Sequence, residues 1–166
     1  MESGKVMEGL VARGRVEAGE IVILSAGWRD LPGVWALEKA CFGRDAWSFL
    51  ELGLALISPN VRLKAMSGER LVGLVIGEPH PYEGFAWIAT IGVHPEFQRQ
   101  GIGASLLAEA EARLKVPLLK LTVRQSNTPA IALYKKLGYA QVSVWERYYT
   151  SGEAGIVMEK RRMAAS

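Results

Sequence analysis

Apolar positions along this chain change period several times, and each change marks an expected element. Ile21-Val22-Ile23-Leu24 is a short run rich in β-branched residues and predicts a strand. Residues 1–19 before it are rich in Gly, Glu and Arg with no clear period, and a loosely packed extension is expected there. Val34, Leu37 and Ala40 fall at helical spacing, with Asp30 as a cap former, Pro32 in the first turn and Gly43 as the stop. A second helix is expected from Ala46 to Ile57, ending before Pro59. Val61–Met66 and Leu71–Ile76 flank Ser67-Gly68-Glu69-Arg70 and read as a hairpin, followed by a loop over Gly77–Gly84 with Pro79 and Pro81. Phe85–Val93 predicts a strand, broken by His94-Pro95.

The second half alternates in the same way. Ile102, Leu106, Leu107, Ala110 and Leu114 give helical spacing over Gly101–Lys115. Leu118–Val123 reads as a strand and Asn127–Leu137 as a helix closed by Gly138. Tyr139–Trp145 and Gly155–Met158 read as strands. Strands interleaved with helices imply a mixed α/β or α+β fold, one sheet with helices packed on it.

At 166 residues, 49% apolar and 22% charged, the chain has the size and composition of one globular domain. The expected organisation is an extension over residues 1–19, one domain over 20–162 and a short tail over 163–166. Twenty basic residues against seventeen acidic give a net charge of +3. That balance suits an anionic ligand without pointing to nucleic acid. The dense basic run Lys160-Arg161-Arg162 reads as a solvated tail. One cysteine, Cys41, excludes an internal disulfide, and with two histidines it excludes a closed zinc site of nitrogen and sulfur ligands, so no metal is expected. No apolar run reaches the ~20 residues of a membrane helix, and residues 1–20 have no secretory apolar core, so the cytoplasm is expected.

The chemistry concentrates in two segments. In Val93-His94-Pro95-Glu96-Phe97-Gln98-Arg99-Gln100-Gly101-Ile102-Gly103 a strand ends, a loop follows and a helix begins at glycines. Free amides at a helix N-terminus attract anions, glycines let a phosphate approach, and Arg99 adds a cation. The dinucleotide fingerprint fails at Leu106 and the Walker loop fails at Ala104-Ser105. A plain glycine turn from strand to helix also fits this segment.

Gln98-x-x-Gly101-x-Gly103 resembles the acetyl-CoA pyrophosphate motif of the GCN5-related N-acetyltransferase superfamily. The segment Leu121-Thr122-Val123-Arg124-Gln125-Ser126-Asn127 through Tyr134 to Tyr139 is similar to that superfamily's next strand and helix. Within it the chain is most similar to the RimI-like branch, which acetylates protein N-termini. Glu38-Lys39-Ala40-Cys41-Phe42 with Trp47, and Arg147-Tyr148-Tyr149 with Gly152-Glu153, are similar to that branch's first helix and C-terminal hairpin. The resemblance implies a central, mostly antiparallel sheet of about six to seven strands, splayed at strands 4 and 5, with about four flanking helices.

It also implies acetyl-CoA as cosubstrate and an amine as acceptor, attacked directly without an acyl-enzyme. Ile91, Gly92 and Val93 are expected to pair with the pantetheine arm. The amides of Arg99, Gln100, Gly101, Ile102, Gly103 and Ala104, after Gln98, are expected to hold the pyrophosphate. Asn127 is expected near the pantetheine, although it is also a good helix cap. Tyr134 matches the general acid that protonates the leaving thiolate. Tyr148 and Tyr149 are expected to line the peptide end of the groove; strand alternation would send their rings to opposite faces. Phe42 and Trp47 suit either a wall for the first substrate side chain or core packing. Cys41 reads as a buried structural residue.

The chain departs from the pattern where the family carries a proton acceptor. Thr122 stands in place of the usual glutamate, Trp87 occupies the alternative position, and Ala154 replaces the aspartate expected after Glu153. Glu83 and His94 remain as candidate bases. An α-amine has a pKa of ~8 and a lysine ~10.4, so at pH 7.5 about a quarter of the first is neutral against ~0.1% of the second. A weak base therefore suits a protein or peptide N-terminus, including that of a ribosomal protein, better than lysine. A lysine or small-amine acetyltransferase and a non-catalytic acetyl-CoA-binding module are the alternatives. No nucleic-acid or membrane partner is expected, and a monomer or dimer fits the chain.

Overall fold

The computed structural model describes residues 10–16 and 19–163, with 10–16 and Gly19 described by backbone alone. One eight-stranded sheet carries four α-helices. In chain order these are β1 (Leu10–Val16), β2 (Gly19–Ser25), α1 (Leu31–Phe42), α2 (Phe49–Ile57), β3 (Val61–Ser67), β4 (Arg70–His80), β5 (Phe85–Val93), α3 (Ile102–Arg113), β6 (Leu118–Arg124), α4 (Thr128–Lys136), β7 (Ala140–Trp145) and β8 (Gly155–Arg161). The strand order is β1-β2-β3-β4-β5-β6-β8-β7. Every neighbouring pair is antiparallel except β5 and β6. Two apolar cores flank the sheet. Leu106, Leu107, Ala110 and Leu114 of the α3 segment and Tyr134 of α4 build one, and Val34, Leu37, Leu52 and Leu56 of α1 and α2 build the other. None of the described helices is long and apolar enough to cross a membrane.

Several expectations are corrected. Leu10–Val16, read as part of a loose extension, pair antiparallel with β2 and add an eighth strand at the sheet edge. Residues 1–9 of that extension and 164–166 of the tail lie outside the described residues. The loop expected from Gly77 is strand as far as His80. β3 begins at Val61, opposite Gly77, so beyond that point β4 pairs only with β5. Pro79 is tolerated there because its missing N–H faces no partner strand. With β1 counted, the splayed pair expected as strands 4 and 5 is β5 and β6.

Helix starts also differ in detail. Asp30 stands at the α1 N-cap position, but its carboxylate accepts from Gly27 N at 2.9 Å and from Lys64 Nζ at 2.5 Å, not from the helix. α2 starts at Phe49, three residues later than expected. Ser48 Oγ accepts from Glu51 N at 3.2 Å and Glu51 returns the bond to Ser48 N at 2.7 Å, a capping box that fixes the start. The basic run is not a solvated tail either. Lys160 Nζ pairs with Glu111 at 2.8 Å, and the Arg162 guanidinium donates to the carbonyls of Glu111, Leu114 and Val116, closing the end of α3.

Candidate active site

β5 pairs with β6 only over Phe85–Trp87 opposite Leu118–Lys120. Past Trp87 the two strands separate, and the β6-facing backbone edge of β5 is left without a strand. β5 also carries one extra residue. Ile76 pairs with Thr90 and Gly77 with Ile88, so Ala89 is bulged. The bulge changes which face the side chains meet. Ile88 joins the core under α3, whereas Thr90 turns to α1 and donates to Glu38 Oε2 at 3.2 Å.

A groove of about 860 Å³ opens where the strands part. Ala89, Thr90 and Ile91 of β5 and Thr122, Val123 and Arg124 of β6 form its floor. Glu38, Cys41 and Phe42 of α1, with Trp47 beyond it, form one wall; Asn127 and Tyr134 form the other. Trp145, Tyr148 and Tyr149 close the far end.

At the near end β5 leads into a tight turn. Gln98 Nε2 donates to Val93 O at 3.1 Å, and Cys41 Sγ donates to the same carbonyl at 3.4 Å. Arg99 and Gly101 both have left-handed backbone, with φ of 63° and 80°. α3 then starts at Ile102, and the N–H groups of a helix's first turn have no intrahelical acceptor. A Cβ built at Gly101 would meet nothing within 4 Å, and one at Gly103 would meet only Val93 Cγ2 at 3.6 Å. The space over these amides is therefore open to an anion.

Tyr134 is 9% exposed, and burial pushes its phenol up to about 12. It is thus a neutral O–H donor at physiological pH. Tyr139 packs edge-on against it at 6.0 Å and donates its own hydroxyl to Glu111 Oε1 at 2.7 Å, which fixes the second ring behind the first. Asn127 caps α4, its Oδ1 accepting from Ala130 N at 3.3 Å, while lining the groove. Burial, reinforced by the nearby Glu38 carboxylate, pushes the Cys41 thiol up to about 11, so it is no nucleophile at neutral pH.

The far end is held by an ion network. Arg124 at the end of β6 pairs with Asp45, which follows α1, and with Glu153 at 3.0 Å in the β7–β8 connection. Asp45 Oδ1 also accepts from Thr150 N at 2.9 Å. The guanidinium lies 4.4 Å from the Tyr149 ring centroid. Tyr148 and Tyr149 follow β7 rather than continuing it, and their rings meet edge-on at 5.0 Å. Strand alternation therefore does not apply to them, and both line the groove. Gly155 makes this possible. A Cβ there would stand 2.8 Å from Thr122 Cγ2 and 3.0 Å from Tyr148 Cδ1.

Residues 31–139 match the acetyltransferase (GNAT) family. The chain belongs to this family. It is 36% identical over 131 residues to the N-alpha-acetyltransferase RimI of Mycobacterium tuberculosis, covering 75% of this chain and 82% of that one. It is 31% identical over 137 residues to the [ribosomal protein bS18]-alanine N-acetyltransferase of Salmonella typhimurium, covering 75% and 84%. The crystal structure of the ribosomal-protein-S18-alanine N-acetyltransferase from Escherichia coli superposes with a TM-score of 0.78 at 29% identity, covering 88% of this chain and 96% of that one. As a GNAT member with RimI-type relatives, the chain is an acetyl-CoA-dependent N-acetyltransferase.

The GNAT fold gathers seven of the candidate residues into the groove. Ile91, Asn127, Tyr134, Tyr148, Tyr149, Phe42 and Trp47 all line it. Gly92 does not. It is packed against Cys41 and Phe42, where a Cβ would stand 3.1 Å from Cys41 Sγ. Gln98 to Ala104 form the turn beyond Val93, and the Ile102 side chain is buried in the core, leaving only its backbone for a ligand. Neither Glu83 nor His94 lines the groove. Glu83 is exposed in a turn, and His94 accepts from Glu96 N at 3.2 Å. Sequence reasoning missed the Arg124–Asp45–Glu153 network and the burial of Glu38. A glutamate four residues after Val34 and beside Leu37, on an apolar helix face, was the available signal.

Proposed function

We propose that this enzyme moves an acetyl group from acetyl-CoA to the N-terminal α-amine of a protein or peptide. The observation that carries the reading is the groove between β5 and β6. It holds paired tyrosines at one end and a buried neutral phenol beside its floor, and β5, which floors it, runs on into the open amide turn. The cosubstrate supplies a thioester-activated acetyl group. The amides of Arg99 to Ala104 bind its pyrophosphate, and the free edge of β5 at Ile91 to Val93 aligns its arm. Asn127 holds the arm from the α4 side. Tyr134 donates its proton to the departing sulfur. Phe42 and Trp47 wall the pocket for the first side chain, and Tyr148 and Tyr149 grip the peptide backbone beyond it.

An exposed protein N-terminus is the acceptor class, as for the ribosomal-protein enzymes among the relatives, and the cytoplasm is the place of action. The catalytic domain takes in β1 and so extends over residues 10–162. The test measures CoA thiol release with two peptides. One has a free N-terminus and no lysine; the other is N-blocked with one lysine. Turnover on the first supports the reading, and turnover on the second alone overturns it.

A further inference from the structure

Among the described residues, Glu38, 3% exposed, and Thr90, 7% exposed, are both buried polar residues. They are bonded to each other, and both line the groove. The positions where the family resemblance puts a proton acceptor hold Thr122 and Trp87, which also line the groove and cannot accept a proton at neutral pH. An amine reaching the thioester as ammonium must lose a proton before it can attack.

Resting on the α-amine reading above, we infer that Glu38 is the proton acceptor for the incoming amine, with Thr90 as its positioning residue. The carboxylate has about four lone-pair sites. Thr90 Oγ1 takes one at 3.2 Å and Trp47 N another at 3.4 Å. The remainder serve an ammonium entering from the groove. The bulge at Ala89 is what makes the arrangement possible. Were alternation regular from Ile88 through Ala89, Thr90 would share the α3 face with Ile88 and the carboxylate would lack this bond. Burial holds the Glu38 pKa above the ordinary 4.5, towards that of an amine, which strengthens it as a base. Cys41 lies one turn along α1. Arg44, Asp45, Glu51, Glu78, Arg124, Tyr134, Tyr148 and Tyr149 bring the other charged or titratable groups to this groove.

The step balances. The ammonium N–H bond breaks as the Glu38 O–H bond forms. The freed nitrogen pair makes the C–N bond to the acetyl carbon. As the C–S bond breaks, its electron pair leaves on sulfur, which takes the Tyr134 proton. The nitrogen's second proton restores the Tyr134 phenol, and Glu38 gives its proton to solvent.

The test follows kcat/KM against pH for the wild type, Glu38→Gln and Thr90→Val, with the free-N-terminus peptide. Glutamine keeps an oxygen to accept from Trp47 N and turns its amide N–H to Thr90 Oγ1, which can accept as well as donate, so the fold is retained. General-base loss predicts a fall of about 100-fold at pH 7 with acetyl-CoA affinity unchanged. The residual rate should then climb about tenfold per pH unit towards the amine pKa of ~8. Thr90→Val removes a bond that favours the charged carboxylate, so the acidic limb should move to higher pH. A Glu38→Gln rate within threefold of wild type, or an unmoved limb in Thr90→Val, overturns the inference.

A second readout needs no turnover. In protein labelled with ¹³C at glutamate carboxyls, the resonance absent from Glu38→Gln should titrate above 4.5 and shift when the peptide is added. A resonance indifferent to the peptide overturns the inference. If the wild type acetylates only the lysine peptide, the α-amine reading fails, and the same variants with that peptide still decide the role of Glu38.

Discussion

On its cosubstrate side the groove is made of backbone. The free edge of β5, the left-handed turn at Arg99 and Gly101 and the first amides of α3 present N–H and C=O groups, and few side chains enter. On its acceptor side it is made of side chains brought from distant parts of the chain. Arg124 meets Asp45 and Glu153, Thr90 meets Glu38, and Tyr148 lies over Gly155. The two constructions suit the two ligands. Acetyl-CoA is the same molecule in every turnover and can be read by main chain, whereas an acceptor is chosen by the shape and charge that side chains supply.

Tyr134 stands between the two halves, and its loss should have the largest effect. Tyr134→Phe keeps the ring that packs on Tyr139 and removes only the proton donor. We expect kcat to fall about 100- to 1000-fold with acetyl-CoA affinity unchanged in calorimetry. An equal fall in affinity would mean that the ring builds the cosubstrate half instead.

Substitutions confined to one half should separate binding of the two ligands. Gly101 has φ of 80°, so Gly101→Val forces a branched residue into left-handed backbone at ~1–2 kcal/mol and puts methyls over the open amides. Acetyl-CoA should bind about tenfold or more weakly, with the acceptor KM little changed. Gly155→Ala does the opposite. Its methyl group meets Thr122 and the Tyr148 ring, and displacement by overpacking of ~1–3 kcal/mol should raise the acceptor KM several-fold and leave acetyl-CoA binding alone. A variant that moved both constants together would break the division.

The same division explains what the sequence reveals. The cosubstrate half is local. A strand, a turn with two glycines and a helix start lie within Val93 to Ala104, so spacing alone exposes them. The helices and most strands are equally legible, because periodicity is local too. The acceptor half depends on pairings across as many as 105 residues, as in Thr150 N to Asp45 Oδ1, and no spacing rule carries those. Tyr148 and Tyr149 were legible as a pair, but not the turn that lets both face the groove. β1 was not legible, since Arg13-Gly14-Arg15 interrupts its apolar residues and it gains strand structure by pairing with β2.

The smallest expected effect concerns what holds the acceptor end closed. Ser126 N donates to Glu153 Oε1 at 2.7 Å, and Arg124 pairs with the other oxygen, so the Glu153 pKa lies below the ordinary 4.5. A carboxyl lowered by folding contributes stability that is present above its unfolded value and lost as pH falls through its folded value. Glu153 is partly exposed, so solvent screens the pair and the contribution is small. Hydrogen exchange should locate it. At pH 7 the amides of Ser126 and of Tyr149, which donates to Glu153 O at 3.1 Å, should be less protected in Glu153→Gln than in wild type. That difference should vanish as pH falls through the lowered Glu153 value, while the amides of α3 show none at any pH. A difference that persisted at low pH would mean that shape, not charge, closes this end. The acceptor half would then be held as the cosubstrate half is, by geometry alone.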